Sequence, residues 1–436
     1  MPTQMSRREV IAWLAAGTGA AAAGASVLLN DSGSPAAAPR MTSDGRVLES
    51  TGRTTMPRSV APPVGGERLL VVLEMLGGND GMSMVVPYGS AAYYDMRQDT
   101  AIAQNEVLQI DDEVGLHPNL NKMHKRGITL VEGVGSTVPN GSHFEMAARW
   151  WGGHSAVVDD KTGWIGRLAD ILNDGSTPAS ALSIGSGAHP IARSVGGKAL
   201  SIPSVDAIHA VVGADSDDVL SSSFQHALRG FADGQDGVPS TGLIRNTLTE
   251  TLDFAERLTA AQGGEGNEVE SRRERLGYGN SGLSDSLLLA ANVFAAETGV
   301  RVLHATMDGD FDTHEGHSWR HPELMQDLDD SLEGFHNDLA ERGLQDRVMV
   351  MTTSEFGRTT AENGSGGLDH GAASVAFLSG PGTGGRRGEY ASLTDLDEND
   401  DMKATVPLES YIGGVVEGWL GVPSSEVFGT ATPLSV

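Results

Sequence analysis

The last third of this sequence alternates between segments of helical and of strand-like periodicity. LSDSLLLAANVFAAET has the apolar spacing of a helix, and RVLHATM after it is a short apolar run typical of a buried strand. A second helical segment, beginning at PELMQ, and a second buried strand, RVMVMTTS, follow. This alternation predicts βαβ units, in which right-handed crossovers join parallel strands. We therefore expect an α/β fold with a mainly parallel sheet flanked by helices.

The folded part of the chain is expected to begin near residue 67, where RLLVVLEML predicts the first buried strand. Residues 31–66 are rich in Ser, Pro, Gly, Thr and Ala and have no apolar period, which predicts a flexible linker. Residues 67–436 are expected to form a single α/β domain. A helical insertion is expected at about 215–290, where helical periods run into a polar, Gly-containing stretch.

Residues 1–30 have the pattern of a targeting segment. Arg7 and Arg8 precede an uncharged run from 10 to 29, and paired arginines in this context resemble a twin-arginine export signal. The run is also about long enough to span a bilayer, so a permanent anchor is the alternative. Its low hydrophobicity and its small residues favour cleavage. We expect the twin-arginine machinery to export the protein to the periplasm, cell envelope or extracellular space, with membrane contact only through an uncleaved signal.

The charge balance limits the possible partners and metal ligands. The chain has 30 basic and 58 acidic residues, a formal charge of −28, which repels phosphate backbones and anionic lipid. We expect no nucleic-acid partner. The absence of cysteine excludes disulfides and thiolate zinc sites, so a metal would need His, Asp, Glu or hydroxyl ligands.

Polar residues follow each expected strand. They are Asp80 after the first strand, Ser142 and His143 after ITLVEGVG, Asp312 and His314 after RVLHATM, and Glu355 after RVMVMTTS. In parallel sheets such positions gather at one edge, where ligands bind. Because crowded carboxylates repel one another, a divalent ion held by oxygen and imidazole would stabilise them.

Three of these residues, Asp80, Ser142 and Glu355, also have a simpler interpretation. Asn-Asp-Gly around Asp80 is ordinary turn chemistry. Ser142 with Glu145 three residues later is a capping box at a helix start. Glu355 and Arg358 would form an ion pair, or Arg358 would bind a phosphate or sulfate through its planar guanidinium.

Other residues are secondary candidates. His317 is an alternate metal ligand, while His117, before a proline, is expected to be structural. Trp150 and Trp151 would line a sugar-binding cleft or, as we favour, pack in the core.

Six ordered motifs, GGNDG, LHP, SHF, DTH, SEFGRT and DHG, behind a twin-arginine signal resemble an exported bacterial family, domain of unknown function 1501. The resemblance covers about residues 67–380. That family is placed by fold similarity in the alkaline phosphatase and sulfatase superfamily, so the resemblance implies an alkaline phosphatase-like fold. The family's name carries no function.

The superfamily resemblance implies specific roles. It makes Asp80 a metal ligand, Ser142 the nucleophile at a helix start, Asp312 and His314 ligands after a later strand, and His370 the final ligand. Where the superfamily has Asp-His, this chain has Glu355 and Phe356. Phenylalanine cannot bind a metal, whereas Glu355 can still hold one ion, and His143 or His317 can replace the lost imidazole.

These patterns lead to one main hypothesis and one alternative. The main hypothesis is an exported metal-dependent hydrolase of phosphate or sulfate esters, including small-molecule or glycan esters. It needs a divalent metal (zinc, manganese, calcium or magnesium), attack by Ser142 or a metal-activated water, and stabilisation of charge by His143 and Arg358. The alternative is a non-catalytic cell-envelope binding or assembly protein on the same fold.

Overall fold

The computed structural model describes residues 67–156, 161–185, 187–202, 267–307, 310–429 and 432–435, and a few positions between 229 and 257. The expected signal peptide at 1–30, the linker at 31–66 and most of the insertion at 215–290 lie outside the described residues. Among the described residues, no helix is both long enough and apolar enough to cross a membrane.

Twelve strands occur in the described part of the chain. They are β1 (Leu69–Met75), β2 (Val85–Val86), β3 (Leu108–Gln109), β4 (Gly115–Leu116), β5 (Thr129–Gly135), β6 (Ala181–Ile184), β7 (Ala199–Ile202), β8 (Val302–Met307), β9 (Val348–Thr353), β10 (Ser374–Ser379), β11 (Gly385–Gly388) and β12 (Val406–Pro407). Strands β2, β4 and β3 form a small antiparallel sheet, and the other nine form the main sheet.

Helices alternate with these strands. They are α1 (Gly81–Met84), α2 (Ala91–Met96), α3 (Asn121–Arg126), α4 (His143–Gly152), α5 (Trp164–Leu172), α6 (Asn267–Leu276), α7 (Gly282–Ala295), α8 (His317–Glu341), α9 (Leu408–Gly418) and α10 (Ser424–Phe428). A short 3-10 helix spans Pro190–Ala192. Helix α8 begins five residues before the expected PELMQ start, so Pro322 lies inside it.

The main sheet has the order β11-β5-β10-β9-β1-β8-β6-β7, with β12 also beside β5. Strand β1 is parallel to β8 and β9, and β8, β6 and β7 continue in the same direction. Strand β10 is antiparallel to both β5 and β9. The expected α/β class with a mainly parallel sheet is confirmed.

Alternate residues of β1 pack on opposite faces of the sheet. Val71 and Leu73 belong to the same hydrophobic cluster as the buried side chains of α7 and α8. Leu70 and Val72 belong to the cluster that includes α5 and α9. Because helices cover both faces, every residue of β1 is buried, which explains its continuous apolar sequence.

The strand directions determine which residues meet at one edge. Strands β1, β5, β8 and β9 run in the same direction, so their carboxyl ends lie at one edge of the main sheet. Because β10 runs in the reverse direction, its first residue lies at that same edge, and the loop before β10 carries His370 to the loops after the other strands.

Candidate metal centre

Four loops at this edge bring together most of the expected site residues. His143 is the first residue of α4, which follows β5. Asp312 and His314 lie between β8 and α8, and Glu355 follows β9. His370 precedes β10. These elements are distant in sequence, so the cluster depends on the order of strands in the sheet.

His370 lies at the centre of the cluster. Its Nε2 atom is 2.9 Å from Nε2 of His143 and 2.9 Å from Nε2 of His314. Oδ1 of Asp312 is 3.3 Å from Nε2 of His370 and 3.1 Å from Nε2 of His314. His143, Asp312 and His370 each offer one ligand atom, and these atoms lie within 4.8 Å of one another.

The other ring nitrogen of each histidine faces a hydrogen-bond acceptor. Nδ1 of His370 lies 2.8 Å from the carbonyl oxygen of Gly141, which can only accept. Nδ1 of His143 lies 3.0 Å from Oε1 of Glu355, and Nδ1 of His314 lies 2.7 Å from Oδ1 of Asp369. In the neutral rings, Nδ1 therefore carries the hydrogen and Nε2 has a free lone pair.

These lone pairs, directed at one another and at the Asp312 carboxylate, would repel in the absence of a cation. Metal-binding histidines usually donate their other ring N–H to a carboxylate or carbonyl, as here. The residues therefore fit a divalent ion with imidazole and carboxylate ligands.

Glu355 lies behind His143. Its Oε1 atom accepts from the backbone N–H of Gly77 at 2.8 Å as well as from His143. The side chain is 4% exposed, and its Oε2 has no hydrogen-bond partner among the described residues. The hydrogen bond to Glu355, acting against burial, raises the pKa of His143. In the structure Glu355 thus orients His143, and it is not a member of the candidate ligand group of His143, Asp312 and His370.

Arg358 is 1% exposed and holds the loops of the site together. Its guanidinium donates to the carbonyl oxygens of Gly77, Gly78, Phe311 and Leu368. It also donates to Oδ1 of Asp312 at 2.7 Å. Although burial acts to raise the pKa of Asp312, Arg358 lowers it. The geometry gives Arg358 a positioning role and does not bring it to a substrate, because its donors are directed at the protein's own oxygens.

Phe356, at the position where the superfamily resemblance implies a histidine, packs against two imidazoles of the site. Its ring centroid is 4.8 Å from that of His143 and 4.7 Å from that of His370. A Cβ atom on Gly78 would lie 2.3 Å from Cε2 of this ring, so glycine is required there. Phe356 supports the two imidazoles instead of binding a metal.

Ser142 is the N-cap of α4, where its hydroxyl accepts weakly from the N–H of Glu145 at 3.4 Å. Phe144, two residues later, is 89% exposed. Ser142 therefore lies at a helix N-terminus directly before His143, and the capping interpretation and the nucleophile interpretation both fit this position.

The structure does not bring Asp80 to this cluster. It is the N-cap of α1 and is 1% exposed. Its two carboxylate oxygens lie 2.5 and 2.9 Å from the Arg97 guanidinium, and Nε2 of His317 is 3.4 Å away. Burial opposes ionisation, but Arg97 and His317 hold the pKa of Asp80 well below its usual value. Arg97 neutralises the charge that the sequence assigned to a metal.

His317 and His321 stack on one face of α8, with ring centroids 4.9 Å apart, and His117 lies nearby. His317 contacts Ser83 and Thr313 through its two nitrogens. His117 is buried, as expected of a structural residue, and burial lowers its pKa to about 4. Both ring nitrogens of His317 thus contact hydroxyl groups of the protein, and His317 is not a member of the candidate ligand group of His143, Asp312 and His370.

A second buried group was missed by the sequence analysis. Glu74 on β1 accepts from Trp151 at 2.6 Å and lies 3.0 Å from His304 and 3.4 Å from His189. Nδ1 of His189 accepts from the N–H of Ile191, so Nε2 carries the hydrogen and donates to Glu74. This tautomer favours a hydrogen-bonded carboxylate over a metal site. The sequence feature that could have revealed this buried group is Glu74 itself, the single acidic residue within the apolar run LLVVLEM.

Both tryptophans pack in the core, as favoured. Trp150 is buried, and its indole N–H donates to the carbonyl oxygen of Glu355 at 3.0 Å. Trp151 is half-buried against Glu74 and His189.

Residues 67–408 match the model of a family described as protein of unknown function (DUF1501). The chain belongs to the DUF1501 family. The predicted family resemblance is thereby confirmed, and the match includes every residue of the cluster. No protein of curated function matches this DUF1501 chain in sequence.

Solved structures similar to this DUF1501 chain include a sulfatase, a lipoteichoic acid synthase and a protein in the alkaline phosphatase superfamily. The PsFucS1 sulfatase from Pseudoalteromonas sp. is 13% identical, with 84% of this chain and 72% of that chain covered and a TM-score of 0.35. The lipoteichoic acid synthase LtaP from Listeria monocytogenes is 10% identical, covering 81% and 72%, with a TM-score of 0.34. A protein in the alkaline phosphatase superfamily from Vibrio parahaemolyticus is 9% identical, covering 74% and 63%, with a TM-score of 0.31.

Proposed function

We propose that this protein is an exported metal-dependent hydrolase of phosphate or sulfate esters. The observation that carries the proposal is the set of three imidazoles whose Nδ1 atoms face acceptors and whose Nε2 atoms face one another beside Asp312. His143, Asp312 and His370 would hold one divalent ion, and His314 adjoins them. When bound, such an ion would polarise the ester oxygen and make a water molecule more acidic.

The protein's own groups would place the substrate. Ser142 at the N-terminus of α4 lies where the helix dipole and free backbone N–H groups favour a developing negative charge. Its hydroxyl oxygen would bond to the phosphorus or sulfur atom as the alcohol of the ester leaves with the hydroxyl proton, and water would then release the phosphate or sulfate from Ser142. Alternatively, a water molecule would attack directly and displace the alcohol. Phe144 offers exposed apolar surface next to His143 for the organic part of the ester.

The charges around the site limit what it would bind. Asp312, Glu355 and Asp369 contribute three negative charges, which one divalent ion and Arg358 would balance. Because the site would then be close to neutral, we propose that it prefers esters with a single negative charge over dianionic phosphate monoesters.

The location is also part of the proposal. Arg7 and Arg8 before an uncharged run support export by the twin-arginine pathway, which carries folded proteins. A site assembled from residues as distant as His143 and His370 forms only in the folded chain.

The test combines metal analysis with a substrate screen. Purified protein would be analysed for bound metal and assayed with nitrophenyl phosphates, phosphodiesters and sulfates in the presence of zinc, manganese, calcium or magnesium. We expect about one metal per chain, turnover of at least one ester class, and loss of both in Asp312→Ala and His370→Ala.

The matched control is His124→Ala, which removes an imidazole far from the cluster and near Gln109. It should keep both the metal and the activity. If the wild-type protein binds no stoichiometric metal, and the cluster variants behave like His124→Ala, the chain is a non-catalytic protein and the proposal fails.

A further inference from the structure

Three large apolar side chains on the loops of the candidate metal centre are exposed to solvent. Val138 lies on the loop between β5 and α4, Phe144 in the first turn of α4, and Trp319 in the first turn of α8, and each is more than half exposed. In the part of the chain that the structure describes, only Ile110 and Val195 are also exposed among the large hydrophobic residues. Exposed apolar surface concentrated beside a site marks a place where a ligand or a partner binds.

Val138 and Phe144 lie on a segment that contacts two imidazoles of the cluster. Phe144 directly follows His143 in α4. Between the two apolar residues, the carbonyl oxygen of Gly141 accepts from Nδ1 of His370 at 2.8 Å. The apolar side chains of this segment are therefore next to the groups proposed to bind the metal.

Trp319 borders the third imidazole. A Cβ atom on Gly316 would lie 2.4 Å from Nε1 of Trp319, so the indole lies against the loop that carries His314. The N–H of Trp319 donates to the carbonyl oxygen of Gly316 at 3.2 Å. Apolar surface thus adjoins the cluster from the α8 loop as well as from the α4 loop.

Hydrogen bonds hold the loop of Val138 in one conformation. The carbonyl oxygen of Val138 accepts from the guanidinium of Arg149, which is buried in α4. The N–H of Val138 donates to Oγ of Ser136 at 3.1 Å, and this hydroxyl donates to the carbonyl oxygen of Ser155 at 2.9 Å. Because the loop is already ordered, binding of an apolar group to it would cost little conformational entropy.

The charge of the protein limits the class of ester. The chain has a formal charge of −28, which repels polyanions such as sulfated or phosphorylated polymers. With one divalent ion bound, the cluster would be close to neutral and would favour an ester with a single negative charge. Phosphodiesters and sulfate esters of an alcohol both meet this condition.

The exposed side chains select the organic part of the ester. Val138 is aliphatic and offers no ring on which a sugar could stack, whereas all three side chains can cover an alkyl chain. Resting on the proposed hydrolase function, we propose that the substrates are amphiphilic, namely phosphodiesters or sulfate esters of a long-chain alkyl alcohol. Val138, Phe144 and Trp319 would contact the chain and determine this specificity.

The experiment compares esters that have the same reacting group and different apolar chains. The purified full chain with its metal would be assayed with nitrophenyl methyl phosphate and nitrophenyl octyl phosphate, and with methyl and octyl sulfate, below the concentrations at which the octyl esters form micelles. In the phosphodiesters, the oxygen of water bonds to phosphorus, and nitrophenol leaves as its bond to phosphorus breaks. We expect kcat/KM to be higher for the octyl ester by about tenfold or more. The gain should come through KM, because the chain is held away from the reacting atoms.

Substitutions of the exposed side chains make the test specific. Phe144→Ala and Trp319→Ala should each lower the ratio of the octyl to the methyl kcat/KM by about threefold or more. Their Tm values should match that of the wild type, because both side chains are exposed.

The matched control is Val195→Ala, which removes an equally exposed apolar side chain at a different place. Its neighbours Ser194 and Gly196 bond to Asp170 near the end of α5, which leads into β6 at the opposite edge of the main sheet. This variant should keep the wild-type ratio of the two rates.

Equal kcat/KM for the methyl and octyl esters in the wild type would overturn this inference and leave the hydrolase proposal standing. A ratio that falls equally in Val195→Ala would also overturn it, as would a stronger preference for a glycosyl diester than for the octyl diester. If Phe144→Ala changes the oligomeric state in light scattering and keeps the ratio, the apolar surface binds a second copy of the chain and the inference fails.

The absence of turnover with every ester would overturn the hydrolase proposal, and calorimetry would then decide about the apolar surface. Methyl octyl phosphate and dimethyl phosphate are the probes. Saturable binding of the octyl ester alone, weakened in Phe144→Ala and retained in Val195→Ala, would support an alkyl-binding surface without hydrolysis. Equal or absent binding of the two probes would overturn the inference as well.

Discussion

Nδ1 of His143 lies 3.0 Å from Oε1 of Glu355, and this contact turns the other ring nitrogen toward His370. Glu355, which the sequence predicts as a metal ligand, thus orients His143, which the sequence ranked second as a candidate ligand. We expect Glu355→Gln to weaken metal binding by about 10–100-fold, because the amide removes the negative charge that favours the correct tautomer.

Metal affinity of the purified Glu355→Gln protein, measured by competition with a chelating dye, checks this prediction. Glu389→Gln, an exposed acid, is the control and should bind like the wild type. Unchanged affinity in Glu355→Gln would mean that the contact with His143 is incidental.

Gly77 and Gly343 both have positive φ, but only at Gly77 would an added Cβ atom also collide with neighbouring atoms. Substitution of the two glycines therefore separates backbone strain from steric clash. Its φ is +108°, and a Cβ atom there would lie 2.5 Å from the backbone nitrogen of Asp312. Gly343, with φ of +68°, has nothing within 4 Å of the same position. Gly343→Ala should lower the free energy of unfolding by about 1–2 kcal/mol through backbone strain alone.

Gly77→Ala should lower the free energy of unfolding further and also reduce the metal content, because Asp312 must move. Urea unfolding and metal analysis of both variants check this. A Gly77→Ala protein that keeps its full metal content would show that the loop of Asp312 adapts to the added methyl group.

Substitution of Asp80 tests whether its carboxylate forms an ion pair with Arg97 or binds a metal. Asp80→Asn leaves Arg97 buried without its charged partner, which costs about 3–5 kcal/mol. We expect a lower urea midpoint with unchanged metal content in the folded fraction. Asp346→Asn, at an exposed position, should leave both unchanged. Loss of metal in Asp80→Asn comparable to that in Asp312→Ala would assign Asp80 to the metal site.

The lowered pKa of Glu74 predicts that the stability of the folded protein depends on pH. Burial opposes its ionisation, but the hydrogen bonds from His189 and His304 lower its pKa from an ordinary value of 4.5 to about 2. Its carboxylate therefore stabilises the folded state above pH 4.5, and this stabilisation, on the order of 3 kcal/mol, is lost as the pH falls toward 2.

The Tm of Glu74→Gln measured from pH 2 to 7 tests this dependence. The variant should be less stable than the wild type at pH 7, and the difference should shrink as the pH falls below 4.5. Glu323→Gln, at an exposed site, should follow the wild-type curve. If the Tm difference between the wild type and Glu74→Gln stays constant across this pH range, the variant is destabilised by altered packing and not by loss of the charge.

The sequence predicted the α/β fold and the gathering of Asp312, His314 and Glu355 at one sheet edge, because buried parallel strands place the residues that follow them together. His370 was expected only from the superfamily resemblance, since it precedes a strand instead of following one. The sequence did not place Asp80, since its partner Arg97 lies on a separate turn and no spacing rule joins them. The sequence also could not distinguish the residues proposed to bind the metal from the residues that orient them. That distinction depends on which ring nitrogen of His143 meets Glu355, and this is a property of three-dimensional geometry alone.

The reversed direction of β10 has a consequence for biogenesis. His370 reaches the cluster only because this strand is inserted between β5 and β9, and it joins His143 across a separation of 227 residues. A growing polypeptide that stops before His370 lacks the central imidazole. If the protein binds metal and is exported as proposed above, acquisition of metal marks a completed fold, and a metal-loaded molecule is one already competent for a translocase that accepts only folded cargo.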